Sequence, residues 1–386
     1  MSTNLRRNIY MTDELEAIYD QTVDFVSKEV TPHGEAWEEA GKVPRDVLRQ
    51  MGDLGMLSLR IPEAHGGLGM GMLASATFSE ALGASTFAGF DVTVLVHTDM
   101  AGPHLVNSGN DEQHAEWLPK MMTGDAITSI GVTEPDAGSD VAGIRSTAIK
   151  DGDGYRINGR KMFITNAVYG DLTIVAARTD PDNKYGITMF LVPAGTEGFE
   201  VTTKLDKHGW RCSDTAELLL DNVFVPEENI LGTLHRGFYE TMKNFQNERM
   251  VLIGMGLGSA QAAIDLTNAY CQERPAFGGH LYDLGAIRQR MAMNQAKIDA
   301  VRASMYHAAW MHDCGQDNVK AMSGAKAWGC EVINQVMYDC VQFHGGMGYM
   351  RESAIERMSR DARILPIGGG ATEVMLEEVA KRSYMV

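Results

Sequence analysis

Four stretches of the 386-residue sequence carry residue types and spacings that could do chemistry. GVTEPDAGSDVAG, Gly131 to Gly143, is rich in small residues and offers Thr133, Ser139 and Asp140 as polar handles. Such a loop can present backbone N–H groups and hydroxyls to a polar ligand, although alone it fits an ordinary polar turn equally well. In GRKMFITNA, Gly159 to Ala167, Phe163 and Thr165 lie two apart and would share one face of a strand. An aromatic ring beside a hydroxyl suits a flat heteroaromatic ligand needing one hydrogen bond; a half-buried strand face reads the same way. QFHGGMGYMRESAIERMSRD, Gln342 to Asp361, predicts a helix that breaks at Gly345-Gly346-x-Gly348 and restarts. Backbone donors exposed at such a break can hold phosphate oxygens. ILPIGGGATEVM, Ile364 to Met375, sets three glycines between an apolar run and a predicted helix, where backbone approaches something closely or takes positive φ. No acid, base or nucleophile stands at its centre.

The elements that must position these stretches fall into three segments. Residues 1–124 read as mainly helical. Thr12 is a plausible N-cap, Asp13 and Glu14 occupy the first turn, and Leu15, Ile18, Tyr19, Phe25, Val26 and Val30 recur at helical spacing before Pro32. Residues 125–235 change texture. Short β-rich runs such as DLTIVAART and AELLLDNVFVP alternate with Gly, Asp, Asn and Pro, the pattern of an antiparallel sheet or barrel. Residues 236–386 return to long helices of bundle length, the first without proline until Pro275. Gly254, Gly258 and Ala262 lie four apart, so one face of that helix can pack closely on a neighbour. The 25 methionines read as adaptable core filling. The expected fold class is α+β: a helical N-terminal domain, a middle antiparallel β-barrel domain and a C-terminal four-helix bundle.

Composition excludes several functions. Net charge is -17, so nucleic-acid binding, which needs a basic face, is not expected. The five cysteines show no CxxC spacing, and the histidines form no HExxH pair. They give no support for a disulfide framework or a metal site, and buried thiols in a reducing compartment are the plain reading. No apolar run reads as long enough to span a bilayer, and MSTNLRRNIYMTDELEAIYD has two arginines, early acidic residues and no apolar core of a signal. With no signal or transit peptide seen, a bacterial-type cytoplasmic location is expected.

Taken together and in this order, the motifs resemble the acyl-CoA dehydrogenase family, flavoenzymes that desaturate acyl thioesters between Cα and Cβ. GVTEPDAGSD resembles the family's first signature and QxxGGxGYxxExxxxRxxxD, from Gln342, its second. GRKMFITN, KLDKHGWRCSDTAELLLDNVFVP and RPAFG at Arg274 to Gly278 are similar as well, so the resemblance covers nearly the whole chain. It implies FAD, bound between the β domain and the C-terminal bundle, with Ile130, Val132, Thr133 and Gly138 among the cofactor positions. Thr133 and Thr165 match residues that hydrogen-bond the flavin ring. Phe163 matches a ring-stacking position usually held by tryptophan, and Ser139 one that contacts both cofactor and the substrate's pantetheine arm. Arg274, Phe277, Gln342, Gly345 and Gly346 match positions that reach the FAD of a neighbouring subunit, which implies a homo-oligomer and, in this family, most often a tetramer. Ala371 and Glu373 match cofactor-contacting positions near the C-terminus. One departure is Gly285, where the family commonly has glutamine.

The reaction needs a carboxylate to take the α-proton while hydride leaves Cβ for the flavin. Many relatives carry that glutamate where this chain has Gly369. Isovaleryl-CoA and long-chain acyl-CoA dehydrogenases resemble this chain in having a small residue there, with the base before an arginine in the first long C-terminal helix. In NFQNERMVLIG, Glu248 followed by Arg249 matches that arrangement, with Phe245 among the substrate positions. Taken as an isolated Glu-Arg pair, it reads as a solvated helix face. Arg249 matches a residue supporting the CoA-facing end of the helix. The resemblance leaves Gly369 a backbone N–H that donates to the thioester carbonyl, beside a ribityl hydroxyl. Gly368 replaces a bulky tyrosine, so the expected substrate is a branched or medium- to long-chain acyl-CoA, with electron-transfer flavoprotein as acceptor. An oxidase passing electrons to oxygen, a flavin monooxygenase-like relative, and a catalytically silent FAD- or CoA-binding protein are the alternatives.

Overall fold

A computed structural model describes residues 8–384, so Arg6 and Arg7 of the N-terminal stretch lie outside the described residues. Seven helices come first: α1 (Asp13–Phe25), α2 (Gly34–Ala40), α3 (Arg45–Asp53), α4 (Met72–Leu82), α5 (Ala88–Leu95), α6 (Gly102–Ser108) and α7 (Asp111–Met122). Thr12 does cap α1, its side chain accepting from the Leu15 N–H at 3.3 Å. The apolar run continues to Val30 as expected, but its last five residues wind as a wider π-helical turn. A second π-helical turn, Val96–Ala101, joins α5 to α6.

The middle segment contains β1 (Thr128–Gly131), β2 (Thr147–Asp151), β3 (Gly154–Thr165), β4 (Leu172–Arg178), β5 (Ile187–Pro193), β6 (Phe199–Lys204), β7 (Thr215–Pro226) and β8 (Ile230–Leu231). They form one eight-stranded sheet along the path β6-β7-β3-β2-β4-β5-β8, with β1 beside β4. The sheet is mixed rather than wholly antiparallel, because β1 and β2 each pair parallel with β4. Parallel partners need a long intervening crossover, and the β2–β3 hairpin between β1 and β4 provides one. His97 ties this sheet to the helices. Its ring bonds Met121 O through Nε2 at 3.0 Å and accepts the Thr128 N–H at Nδ1 at 3.1 Å.

After β8 come α8 (Gly237–Glu273), a short hairpin of β9 (Pro275–Ala276) and β10 (Gly279–His280), α9 (Gly285–Asp313), α10 (Val319–His344), α11 (Ala354–Ala362) and α12 (Thr372–Tyr384). The small-residue face of α8 lies on α4. A Cβ at Gly254 would stand 2.0 Å from Ser79 Oγ, and one at Gly258 2.0 Å from the Glu80 carbonyl oxygen. One apolar core runs from α1, α4 and α5 through α8, α9 and α10, and Met250, Met255, Met305, Met322 and Met337 are buried in it. By length and composition α8 could cross a membrane, contrary to the sequence expectation, but 78% of its most apolar window is buried inside the protein. It is a core helix.

Candidate active site

Glu248 lies in α8, and its side chain is 13% exposed. Its Oε1 accepts from Asn244 Nδ2, one turn earlier, at 3.2 Å. The same amide nitrogen donates to the Asp99 and Met100 carbonyls at 3.1 and 3.0 Å. Those carbonyls belong to the π-helical turn, whose irregular winding leaves backbone acceptors for side chains to satisfy. Asn247 adds a bond to Asp99 O at 2.7 Å, and Arg60 Nη1 holds the Asn247 oxygen at 2.8 Å. Glu248 is thus mounted on a helix face that is itself fixed to the 96–101 turn.

The glycine loop packs against the same stretch of α8. Gly369 has φ +62°, and a Cβ built on it would stand 2.4 Å from Leu252 Cδ1, one turn beyond Glu248. The Leu252 side chain therefore fills the volume that a residue at 369 would claim. At Gly368 the nearest atom to a built Cβ is the Ile364 carbonyl oxygen at 3.7 Å, an ordinary contact. Arg249 is buried with its Nη1 on Gln246 Oε1 at 3.1 Å and its guanidinium over the Phe245 ring at 5.5 Å. It lies beside Gly370, whose carbonyl is held by the buried Lys326 Nζ. Burial pulls the Arg249 pKa down, against the opposing pull of Glu248 and Glu378.

Two motifs from the β segment meet through a buried ion pair. Lys161 Nζ donates to Glu134 Oε1 at 2.6 Å, and that carboxylate also accepts the Arg145 and Ser146 N–H groups at 2.6 and 3.0 Å. Burial pushes the Glu134 pKa up, but Lys161 and these donors outweigh it and hold the carboxyl below its usual value. Met162 N donates to Thr133 O at 2.9 Å, so the Thr133 loop and the β3 edge run side by side. Phe163 sits at an irregularity of the β3–β7 register with φ +62°, and its ring is 65% exposed. Such conformations concentrate at functional sites. Ile164, between Phe163 and Thr165, is buried, whereas Phe163 is exposed and Thr165 half-buried. Thr165 Oγ1 reaches Thr215 Oγ1 at 3.3 Å, and Lys207 Nζ donates to Thr215 at 2.8 Å. Ile130 ends within β1, Val132 follows it, and Gly138 and Ser139 are exposed on the loop.

The third cluster gathers where α8 and α10 end. Helix α10 breaks at Gly345, φ +59°, where the Gly345 N–H bonds the Gln342 carbonyl, and α11 restarts at Ala354. Tyr270 stacks on His344 at 4.3 Å and joins this break to the Arg274 hairpin. Phe277 is 93% exposed at the tip of that hairpin, and Tyr349 is exposed beside the break. Ala371 precedes α12, and Glu373 is exposed in its first turn. A Cβ at Gly138, Gly285, Gly345 or Gly346 would meet nothing within 4 Å. An exposed ring next to a hydroxyl, with open glycine backbone, fits the flavin nucleotide that the motifs imply.

Sequence reading missed Asn244, Leu252, Lys161 with Glu134, Lys207 and His104. Only Asn244 had a local signal, its four-residue spacing from Glu248 on one helix. His104, on α6, is 3% exposed, and its Nε2 stands 3.9 Å from Glu248 Oε1.

Three family models match the chain: "Acyl-CoA dehydrogenase, N-terminal domain" over residues 12–125, "middle domain" over 129–223 and "C-terminal domain" over 235–384. The long-chain specific acyl-CoA dehydrogenase of Sus scrofa is 37% identical over 360 residues, 92% of this chain and 83% of that protein. A crystal structure of a probable acyl-CoA dehydrogenase from Mycobacterium abscessus superposes with a TM-score of 0.94 at 38% identity, covering 97% of this chain and 100% of that one. A glutaryl-CoA dehydrogenase from Mycobacterium smegmatis, solved in complex with FADH2, gives a TM-score of 0.92 at 28% identity, covering 98% and 96%.

Proposed function

The chain belongs to the acyl-CoA dehydrogenase family, and from that membership we propose that Glu248 is the base that takes the α-proton of an acyl-CoA. The protein is an oxidoreductase acting on CH–CH donors, and FAD is its cofactor. FAD, when bound, takes up the two electrons and the hydrogen released from Cβ. This chain's residues supply position, base and electrostatics. One observation carries the assignment: the glycine loop that lacks a carboxylate packs on the helix turn that bears one. Asn244 orients the Glu248 carboxylate, and Leu252 closes the side on which a late glutamate would sit. The Gly369 N–H is the donor for the thioester oxygen as negative charge builds there.

The proposed substrate is a branched or medium- to long-chain acyl-CoA. Gly368 supports it by leaving side-chain volume free, as does similarity to a relative named for long chains. Gly369 adds little room, because Leu252 occupies it. Ser139 and Phe245 are proposed to line the path of the CoA arm, with Arg249 holding the loop behind them. Thr133, Phe163 and Thr165 are proposed to face the flavin. Arg274, Phe277, Gln342, Gly345 and Gly346 are proposed to serve a neighbouring subunit's FAD in a homotetramer, which would cover the exposed Phe277 and Tyr349 rings. Electron-transfer flavoprotein is the proposed acceptor. Residues 1–124, 125–235 and 236–386 are proposed as the three domains.

Anaerobic titration of the FAD-loaded protein with straight and branched acyl-CoAs tests the reading. Glu248→Gln is expected to keep FAD and to slow flavin reduction by roughly 10²–10⁴-fold, the usual contribution of a general base. Unchanged reduction in that variant overturns the assignment. Bleaching by no acyl-CoA would favour a silent homologue, and stoichiometric peroxide an oxidase.

A further inference from the structure

The environment of Glu248 holds one weakly met hydrogen-bonding need and one unmet, and the two face one another. The first belongs to the carboxylate. Asn244 Nδ2 has two hydrogens but three acceptors in range, at 3.0, 3.1 and 3.2 Å, and the longest is Glu248 Oε1. The backbone carbonyls of the π-helical turn hold the shorter contacts, so the mostly buried carboxylate is left with a shared, weak donor. The second belongs to His104. Its Nε2 is buried and has no hydrogen-bond partner among the described residues. Glu248 Oε1 lies 3.9 Å from it, outside hydrogen-bond range by less than an ångström. A carboxylate's terminal torsion is broad, so a small rotation of Glu248 closes that gap at little cost.

We infer that His104 is a positioning residue for the reaction, its Nε2–H donating to Glu248 Oε1 and holding the ionised carboxylate towards the α-carbon. This rests on Glu248 being the base. The bond supplies the carboxylate with a donor that Asn244 only half provides, and it satisfies a buried imidazole nitrogen that otherwise carries a desolvation penalty. It also fixes the tautomer, because an N–H is required at Nε2. Nothing local announces this pairing, since α6 and the Glu248 turn of α8 lie far apart in the sequence.

Removing His104 leaves the Glu248 carboxylate with only the donor that Asn244 shares among three acceptors. The other charges around it stay in place: Arg249 beside it on α8, Asp99 on the π-helical turn, and Arg60 through Asn247. From α12, Glu378 and Arg382 act on Arg249.

The test compares His104→Leu, which keeps apolar bulk, with His104→Gln, which restores a side-chain N–H. In FAD-loaded protein, His104→Leu is expected to slow flavin reduction by an acyl-CoA about tenfold at neutral pH with substrate affinity little changed, so that the loss falls on the rate and not on binding. His104→Gln is expected to recover most of the rate. Nitrogen-15 NMR of the histidine rings reads the bond without turnover: the His104 Nε2–H signal, assigned by its loss in His104→Gln, should shift in Glu248→Gln. An unchanged reduction rate in His104→Leu, or an Nε2 signal indifferent to Glu248→Gln, overturns the role of His104 while Glu248 remains the base. Undiminished reduction in Glu248→Gln instead overturns the base itself.

Discussion

Gly369→Ala isolates the physical reason why this loop carries no side chain at its middle glycine. The backbone there has φ +62°, which costs an L-residue roughly 1–2 kcal/mol. The new methyl would stand 2.4 Å from Leu252 Cδ1, whereas carbon atoms prefer about 3.5–4.0 Å, so buried Leu252 must retreat by about 1 Å. Overpacking of that kind costs about 1–3 kcal/mol. The variant should therefore lose roughly 2–5 kcal/mol in urea unfolding of the FAD-loaded protein. Two companions separate the contributions. Gly368→Ala, with an ordinary 3.7 Å contact and no positive φ, should stay within about 0.5 kcal/mol of the parent. Leu252→Ala alone opens a cavity, but in the double variant the two changes relieve one another, giving a favourable coupling of about 1–3 kcal/mol. The φ contribution should survive in the double. Gly369→Ala within about 0.5 kcal/mol of the parent, or strictly additive changes, would refute the packing described here.

Three further outcomes follow from other parts of the structure. Lys161→Met should destabilise by roughly 3–5 kcal/mol in urea unfolding, because it leaves Glu134 buried without its cation. The double variant with Glu134→Leu should not recover the loss, since the Arg145 and Ser146 N–H groups then lose their acceptor. Burial lowers the His97 pKa from 6.5 to about 4, so the unfolded chain binds a proton in that interval while the folded one does not. Stability relative to His97→Gln should accordingly fall by about 3 kcal/mol as pH drops from 6.5 to 4 and then level off, as read by urea unfolding across pH. Phe163→Ala should weaken FAD binding about tenfold or more in apoprotein titrations without changing the fold, because Phe163 is largely exposed.

The sequence by itself determined whatever is set by short-range energies. Thr12 caps α1, α10 breaks at Gly345, and the spaced glycines of α8 make a face for close packing, because each depends on neighbouring residues or on one helix face. The helical–β–helical order was legible for the same reason, and the motif string was long enough to single out Glu248 as the candidate base. The parallel pairing of β1 and β2 with β4 was not legible, since strand texture does not say which distant strand becomes a neighbour. The environment of Glu248 was hidden likewise. Only tertiary packing set Leu252 against Gly369, closed the Lys161–Glu134 pair and brought His104 to the Glu248 carboxylate. A residue's type declares what it can donate, accept or bury. Which partner receives it is decided by how the core brings distant segments together, and at Glu248 that core is the seam between α8, the π-helical turn and α6.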